Sequence, residues 1–406
     1  MSRLFTLFAF TALTYCGCHS QSGASAWPDA VRRIHNSAIV VDGHNDLPWR
    51  IREFHDSSFD KIDLTRPQPD LHTDIDRLRR GGVGAQFWSA YVPVSTMADG
   101  GAARYGLEQI DLIRRMVDRY PSVFEMALTA DDIVRIHRSG KIASLIGLEG
   151  GHAIENSLGV LRTFYDLGVR YLTLTHSRTH DWCDSCTDAA RHGGLSPFGE
   201  EVIREMNRLG MLVDISHISS EAMRDVLRVS RSPIIASHSS AFALAAHPRN
   251  VPDDVLRGVA ENGGVIMVNF YPGFILQELA PEVGERANTI KAIRAKHLDN
   301  AAGKAAANEA VEAWERDHPK PRGTVKDVVD HIDHIVKVAG IDHVGLGSDY
   351  DGIPTVPEQL DDVAAFPNIT QELLARGYSS GDIHKILGQN LIRAFREAGA
   401  VSDKGK

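Results

Sequence analysis

Eight short apolar runs recur along the chain, separated by stretches with helical spacing. This alternation limits the fold more than any other feature. The runs cover residues 38–41, 84–92, 142–148, 170–175, 211–215, 234–237, 265–270 and 344–347. Most are apolar at successive rather than alternate positions, as strands buried on both faces require. Between them, residues 197–209 and 219–229 repeat apolar residues at helical spacing. Thr324, with Asp327 three residues on, predicts a capping box. Val325, Val328, Val329, Ile332, Ile335 and Val336 then form one helical stripe, and Gly340 suits its end. Strands alternating with helices make βαβ units and a parallel sheet. Eight units predict an α/β fold, a (β/α)8 TIM-type barrel, with a helical insertion at 272–323 between the seventh and eighth strands. An open doubly wound sheet is the alternative, but no Gly-x-Gly-x-x-Gly turn follows the first run. No internal repeat or linker divides the chain, so residues 37–399 read as one domain, with 19–36 as lead-in and 400–406 as tail.

Residues 1–18 stand apart. Arg3 precedes an apolar run from Leu4 to Tyr15, too short for a stable membrane span, which reads as a signal peptide. Gly17-Cys18 after it resembles a bacterial lipoprotein cleavage site, so Cys18 is the candidate lipid anchor. The expectation is an exported chain, periplasmic or membrane-anchored by lipidation. Beyond the leader, Cys183 and Cys186 form a lone C-x-x-C, read as a local disulfide or two unpaired thiols. The formal net charge of −9 is spread along the chain and argues against a nucleic-acid partner.

The chemistry is in the strand ends. The first run leads into His44-Asn45-Asp46, the third into Glu149, the fourth into His176, the fifth into His217, the sixth into His238 and the eighth into Asp349. Residues two apart on a strand share a face, so His44 and Asp46 can hold one cation. His217 and His238 follow neighbouring strands and can hold a second, and Glu149 has two oxygens with which to bridge both. Imidazole with carboxylate suits Zn²⁺, with Mn²⁺, Fe²⁺ or Co²⁺ as alternatives. Singly, each residue has a plainer reading, since a lone histidine near a strand end is more often a hydrogen-bonded core residue. Together they would be costly to bury without a metal. His331 and His334 read as a solvated helix face, and His35, His192 and His384 acquire no role. There is no Gly-x-Ser-x-Gly elbow, phosphate loop or His-Glu-x-x-His helix.

Several blocks resemble the membrane (renal) dipeptidase family of amidohydrolase-like barrels. They are Val41-Asp42-Gly43-His44-Asn45-Asp46, Gly147-Leu148-Glu149-Gly150, Tyr171-Leu172-Thr173-Leu174-Thr175-His176-Ser177, Asp214-Ile215-Ser216-His217, Ala236-Ser237-His238-Ser239 and Gly347-Ser348-Asp349-Tyr350-Asp351-Gly352. The resemblance runs from about Ile39 to Phe395 and keeps the family order. It implies a zinc-dependent dipeptidase with two Zn²⁺ per chain, cleaving L-Xaa-Xaa dipeptides, some with a C-terminal D residue, by a metal-bridging hydroxide. His44 and Asp46 would bind one zinc, His217 and His238 the other, with Glu149 between. His176 would contact the scissile carbonyl, Arg249 the free carboxylate, and Asp349 would shuttle the proton. Tyr271 would line the pocket, and the family implies a homodimer. Arg249 taken alone reads as a surface residue. The chain departs from mammalian members at Arg178-Thr179-His180, where those carry a disulfide-forming Cys. Two other readings stay open: a related binuclear-metal hydrolase for another amide or lactone, and a non-catalytic peptide-binding lipoprotein. The aspartate of His44-Asn45-Asp46 favours the dipeptidase, because many wider relatives have His-x-His there and a carboxylated lysine as bridge.

Overall fold

The computed structural model describes residues 27–297 and 301–403. The leader and Cys18 lie outside them. Nine strands form, in chain order β1 (Val40–Asn45), β2 (Val83–Tyr91), β3 (Phe124–Met126), β4 (Ile142–Glu149), β5 (Val169–Thr173), β6 (Leu212–Asp214), β7 (Ile235–Ala236), β8 (Val265–Val268) and β9 (Val344–Leu346). Every pairing between these strands is parallel. The sheet runs β2-β1-β9-β8-β7-β6-β5-β4, and β2 pairs with β4 along Ala85↔Ala143 to Tyr91↔Glu149, which closes an eight-stranded barrel. The ninth strand, β3, pairs only with the first residues of β4 and was not expected from the sequence.

Both faces of the strands are apolar for separate reasons. Phe87, Leu145, Tyr171, Leu212, Ile235, Val265 and Met267 form one buried cluster that fills the barrel. Leu391, Ile392, Phe395 and Ala398 of the last helix, Asn390–Asp403, join it. Gly388 packs against the Ile39 carbonyl just ahead of β1, so this helix covers the end where the strands begin. The outward-facing residues, such as Val40, Trp88, Ile146, Val213 and Ile266, meet the surrounding helices in a larger cluster. Residues 197–209 and 220–229 are helical, the latter capped by Ser219. The Thr324–Asp327 capping box forms at the head of Val325–Ala339. The β8–β9 connection carries helices Pro272–Ile275, Val283–Arg294 and Ala301–Asp317.

One reading needs correction. His331 is not on a solvated face: it is 1% exposed, accepts a bond from the Ala241 N–H at 3.0 Å and contacts the Ile275 carbonyl at 3.1 Å. The chain turning back after β7 covers this side of the helix. His334 is part-buried and pairs with Asp253 at 2.8 Å. Cys183 and Cys186 are free thiols, so of the two readings for this loop the unpaired one holds.

Candidate metal centre

The side chains named at the strand ends meet at the barrel mouth. His44 is the penultimate residue of β1, and Asp46 immediately precedes the helix Leu47–His55 that follows. His44 Nε2 lies 3.1 Å from Asp46 Oδ2 and 3.5 Å from Glu149 Oε2. Glu149 closes β4, and its other oxygen, Oε1, lies 3.2 Å from His217 Nε2 and 3.5 Å from His238 Nε2. The two Nε2 atoms of His217 and His238 are 3.0 Å apart. One carboxylate thus turns an oxygen to each of two ligand groups. Asp349 joins the first: one oxygen each of Asp349 and Asp46 and a ring nitrogen of His44 lie within 4.8 Å of one another. His176 flanks the second, with Nε2 3.9 Å from Glu149 Oε1.

The donor set fits metal cations. His44 Nδ1 is engaged by the Tyr171 hydroxyl at 2.8 Å, and that hydroxyl donates to the Gly43 carbonyl. It therefore accepts from Nδ1–H and leaves the Nε2 lone pair facing the carboxylates. Gly147 makes room for this ring, since a Cβ there would lie 1.9 Å from Tyr171 Cζ. Lone pairs and carboxylate oxygens crowded together away from water are costly unless cations lie among them. Burial, with Arg249 and the neighbouring imidazoles, holds His217 and His238 well below ordinary histidine values.

Asp349 differs from the other carboxylates. Burial, with the repulsion of Asp46 and Glu149, pushes it up to about 7, against the pull of His44. Its Oδ2 accepts from Asn269 Nδ2 at 2.8 Å. Its φ of +63° is an uncommon setting for a non-glycine residue, shared by His217 at +71°. Arg249 is 2% exposed. Its guanidinium donates to Ser239 Oγ and to the His238 carbonyl, both at 3.0 Å, and its Nε has no partner. The chain after β7 folds this residue inward, which overturns the surface reading suggested by Arg249 alone. Tyr271 packs edge-on against Phe274 and lines a cavity of about 220 Å³ with Gly273, Leu279, Arg286 and Glu315.

Three contributors escaped the sequence reading. Tyr171 carries its only polar atom at the tip of a side chain within an apolar run. Asn269, one residue past β8, holds Asp349. Cys186 donates its N–H to the His217 carbonyl at 2.8 Å; burial pushes its thiol up to about 11 against the charge of Arg249.

Known proteins agree with this architecture. The family model "Membrane dipeptidase (Peptidase family M19)" matches residues 29–406. "Dipeptidase tcpJ" of Claviceps purpurea is 42% identical over 90% of this chain and 78% of its own length. "Dipeptidase 3" of Mus musculus is 40% identical over 90% of this chain and 65% of its own length. Among solved structures, the probable dipeptidase PvdM from Pseudomonas aeruginosa superposes with a TM-score of 0.76 at 25% identity. That match covers 92% of this chain and 98% of PvdM. The chain therefore belongs to the membrane dipeptidase family of metallopeptidases.

Proposed function

We propose that this chain hydrolyses dipeptides with two Zn²⁺ ions. His44 and Asp46 would hold one, His217 and His238 the other, with Glu149 placed between them. The observation that carries the reading is the split of Glu149, with Oε2 towards His44 and Oε1 towards His217 and His238. When bound there, the cations would supply Lewis acidity, lowering the pKa of a water and drawing charge from a carbonyl.

The protein's own groups do the rest. Asp349, poised near neutrality, takes the proton of the attacking water and returns it to the leaving amine. His176 Nε2 stabilises the oxyanion from the rim. Arg249 presents a buried guanidinium whose planar fork suits a free carboxylate, so the substrate ends one residue beyond the scissile bond. Tyr271 is assigned to the pocket wall, although the cavity it lines includes neither Arg249 nor a candidate metal ligand, and the reading allows a D as well as an L residue at the C-terminal position. The leader and Cys18 support export with a lipid anchor, and the family resemblance supports a homodimer. No helix among the described residues is long and apolar enough to cross a membrane.

The test is a dipeptide library, L,D pairs included, against zinc-loaded protein, with simple amides and lactones alongside. Turnover of dipeptides that chelation abolishes and zinc restores is expected. Turnover only of the amides or lactones would favour the related hydrolase. No turnover with both cations bound would leave a peptide-binding protein.

A further inference from the structure

The same small arrangement occurs at two seams of the barrel. On β6, Asp214 lies level with Ile235 of β7, and Ser237 follows two residues on. Ser237 donates its N–H to Asp214 Oδ1 at 2.8 Å and its hydroxyl to Oδ2 at 2.6 Å. On β1, Asp42 lies level with Leu346 of β9, and Ser348 follows two residues on. Ser348 donates its N–H to Asp42 Oδ1 at 2.8 Å and its hydroxyl to Oδ2 at 2.7 Å. Both aspartates and both serines are fully buried. Further donors complete each carboxylate: Thr173 Oγ1 at 2.6 Å and the Ser216 N–H at 3.0 Å on Asp214, and Gln86 Nε2 at 2.9 Å on Asp42. In both cases the residue after the serine is a site residue, His238 in one and Asp349 in the other.

Ser237 has a second effect. Its one hydroxyl proton goes to Asp214, so its 2.7 Å contact with His238 Nδ1 is an N–H donated by the ring. The proton is thereby fixed on Nδ1, and the lone pair sits on Nε2, the nitrogen that faces His217 and Glu149. A carboxylate reaching a ligating histidine through a hydroxyl orients the ring as a direct contact would. Ser348 has no such ring to hold. It fixes the backbone on which Asp349 takes its positive φ.

We infer that Asp214 with Ser237, and Asp42 with Ser348, are two positioning clasps of one design. The first sets the tautomer and direction of His238 for a cation, and the second sets Asp349 for proton transfer. The inference rests on the two-cation reading above, and titrating the parent protein with zinc tests that reading separately.

The clasps are distinguished by crossed readouts, each variant being checked by thermal melting. Ser237→Ala is expected to weaken one of the two zinc sites by roughly 10- to 100-fold, with turnover largely recovered at saturating zinc. Ser348→Ala is expected to keep both zinc sites and to lower kcat about tenfold or more at unchanged KM. Ser348→Thr, which keeps the hydroxyl, should recover much of that loss. Asp214→Asn is the sharper variant, because its volume is unchanged. Its amide oxygen must stay on the two N–H groups, so its NH₂ faces Ser237. Ser237 must then donate to His238 Nδ1, which moves the ring proton to Nε2. Zinc loss at least as great as in Ser237→Ala is expected. The inference is overturned if Asp214→Asn binds both zinc ions as the parent does. It is equally overturned if Ser348→Thr is as impaired as Ser348→Ala, or if the two alanine variants differ from the parent only in melting temperature. A parent protein that binds no zinc overturns the site reading and the clasps together.

Discussion

Two sets of buried imidazoles divide this molecule. His35, His180 and His331 each set a ring nitrogen on a backbone carbonyl, of Gly81 at 2.8 Å, Leu174 at 2.8 Å and Ile275 at 3.1 Å. His44, His217 and His238 instead turn Nε2 towards one another and towards Glu149. His44 and His238 are as buried as His35, His180 and His331, and His217 is only part-buried, so burial does not separate structure from chemistry. What separates them is whether the inward ring nitrogen donates an N–H to a carbonyl or faces another nitrogen and a carboxylate. A carbonyl completes a hydrogen bond and ends the matter, whereas a second lone pair calls for a cation.

The contrast predicts opposite failures. Replacing Glu149 with Gln should leave the melting temperature of the apo protein near that of the parent. Because cation assistance is worth several kcal/mol, activity should fall by roughly a thousandfold or more; parallel assays and melts decide this, and near-normal turnover would break the comparison. Asp349→Asn should keep both cations and lose kcat by about 10²- to 10⁴-fold, read by metal analysis beside steady-state kinetics. If it turns over normally, the proton route proposed here is wrong. Arg249→Ala should raise KM for dipeptides by about 10- to 100-fold, the worth of a charge-assisted bond. Dipeptide amides, which lack the free carboxylate, should be little affected, and an equal effect on both would reject the carboxylate grip.

The smallest effect belongs to the other set. His331→Leu should leave kcat intact and cost about 1–3 kcal/mol of stability, by stranding the Ala241 N–H and the Ile275 carbonyl. Its pH dependence follows from burial, which lowers the folded pKa of His331 to about 4 from 6.5. Below pH 6.5 the unfolded chain binds a proton that the folded chain refuses until about pH 4. This contribution is therefore complete above pH 6.5 and lost as pH falls through that window. Chemical denaturation from pH 7 to pH 4 should show a shallower decline in His331→Leu than in the parent. Identical slopes would mean that His331 does not carry this share.

How much of this was legible follows from where partners lie. The eight barrel strands could be read because burial on both faces leaves near-continuous apolar runs. The strand β3 could not, since Phe124–Met126 is three residues long and half-buried beyond its first. Five candidate ligands were legible because each lies at or within a few residues of the end of such a run. His331 was misread because its neighbours on the helix, not the loop that covers it, set the expectation. Tyr171, Asp42 and Ser348 stood inside quoted blocks without a role. Their partners are 127 residues away for Tyr171 and His44, and 306 for Asp42 and Ser348. Periodicity describes a face, and it does not say which distant side chain that face will meet.

The seam between β1 and β9 also bears on biogenesis. The Asp349 N–H donates to the His44 carbonyl at 3.1 Å, joining the first strand of the barrel to the last. A chain still emerging from the ribosome can have synthesised every candidate ligand up to His238 while this seam stays open. On the proposed mechanism Asp349 reaches the site only once this seam closes, so a partly made chain would carry no complete peptidase that could act on its surroundings.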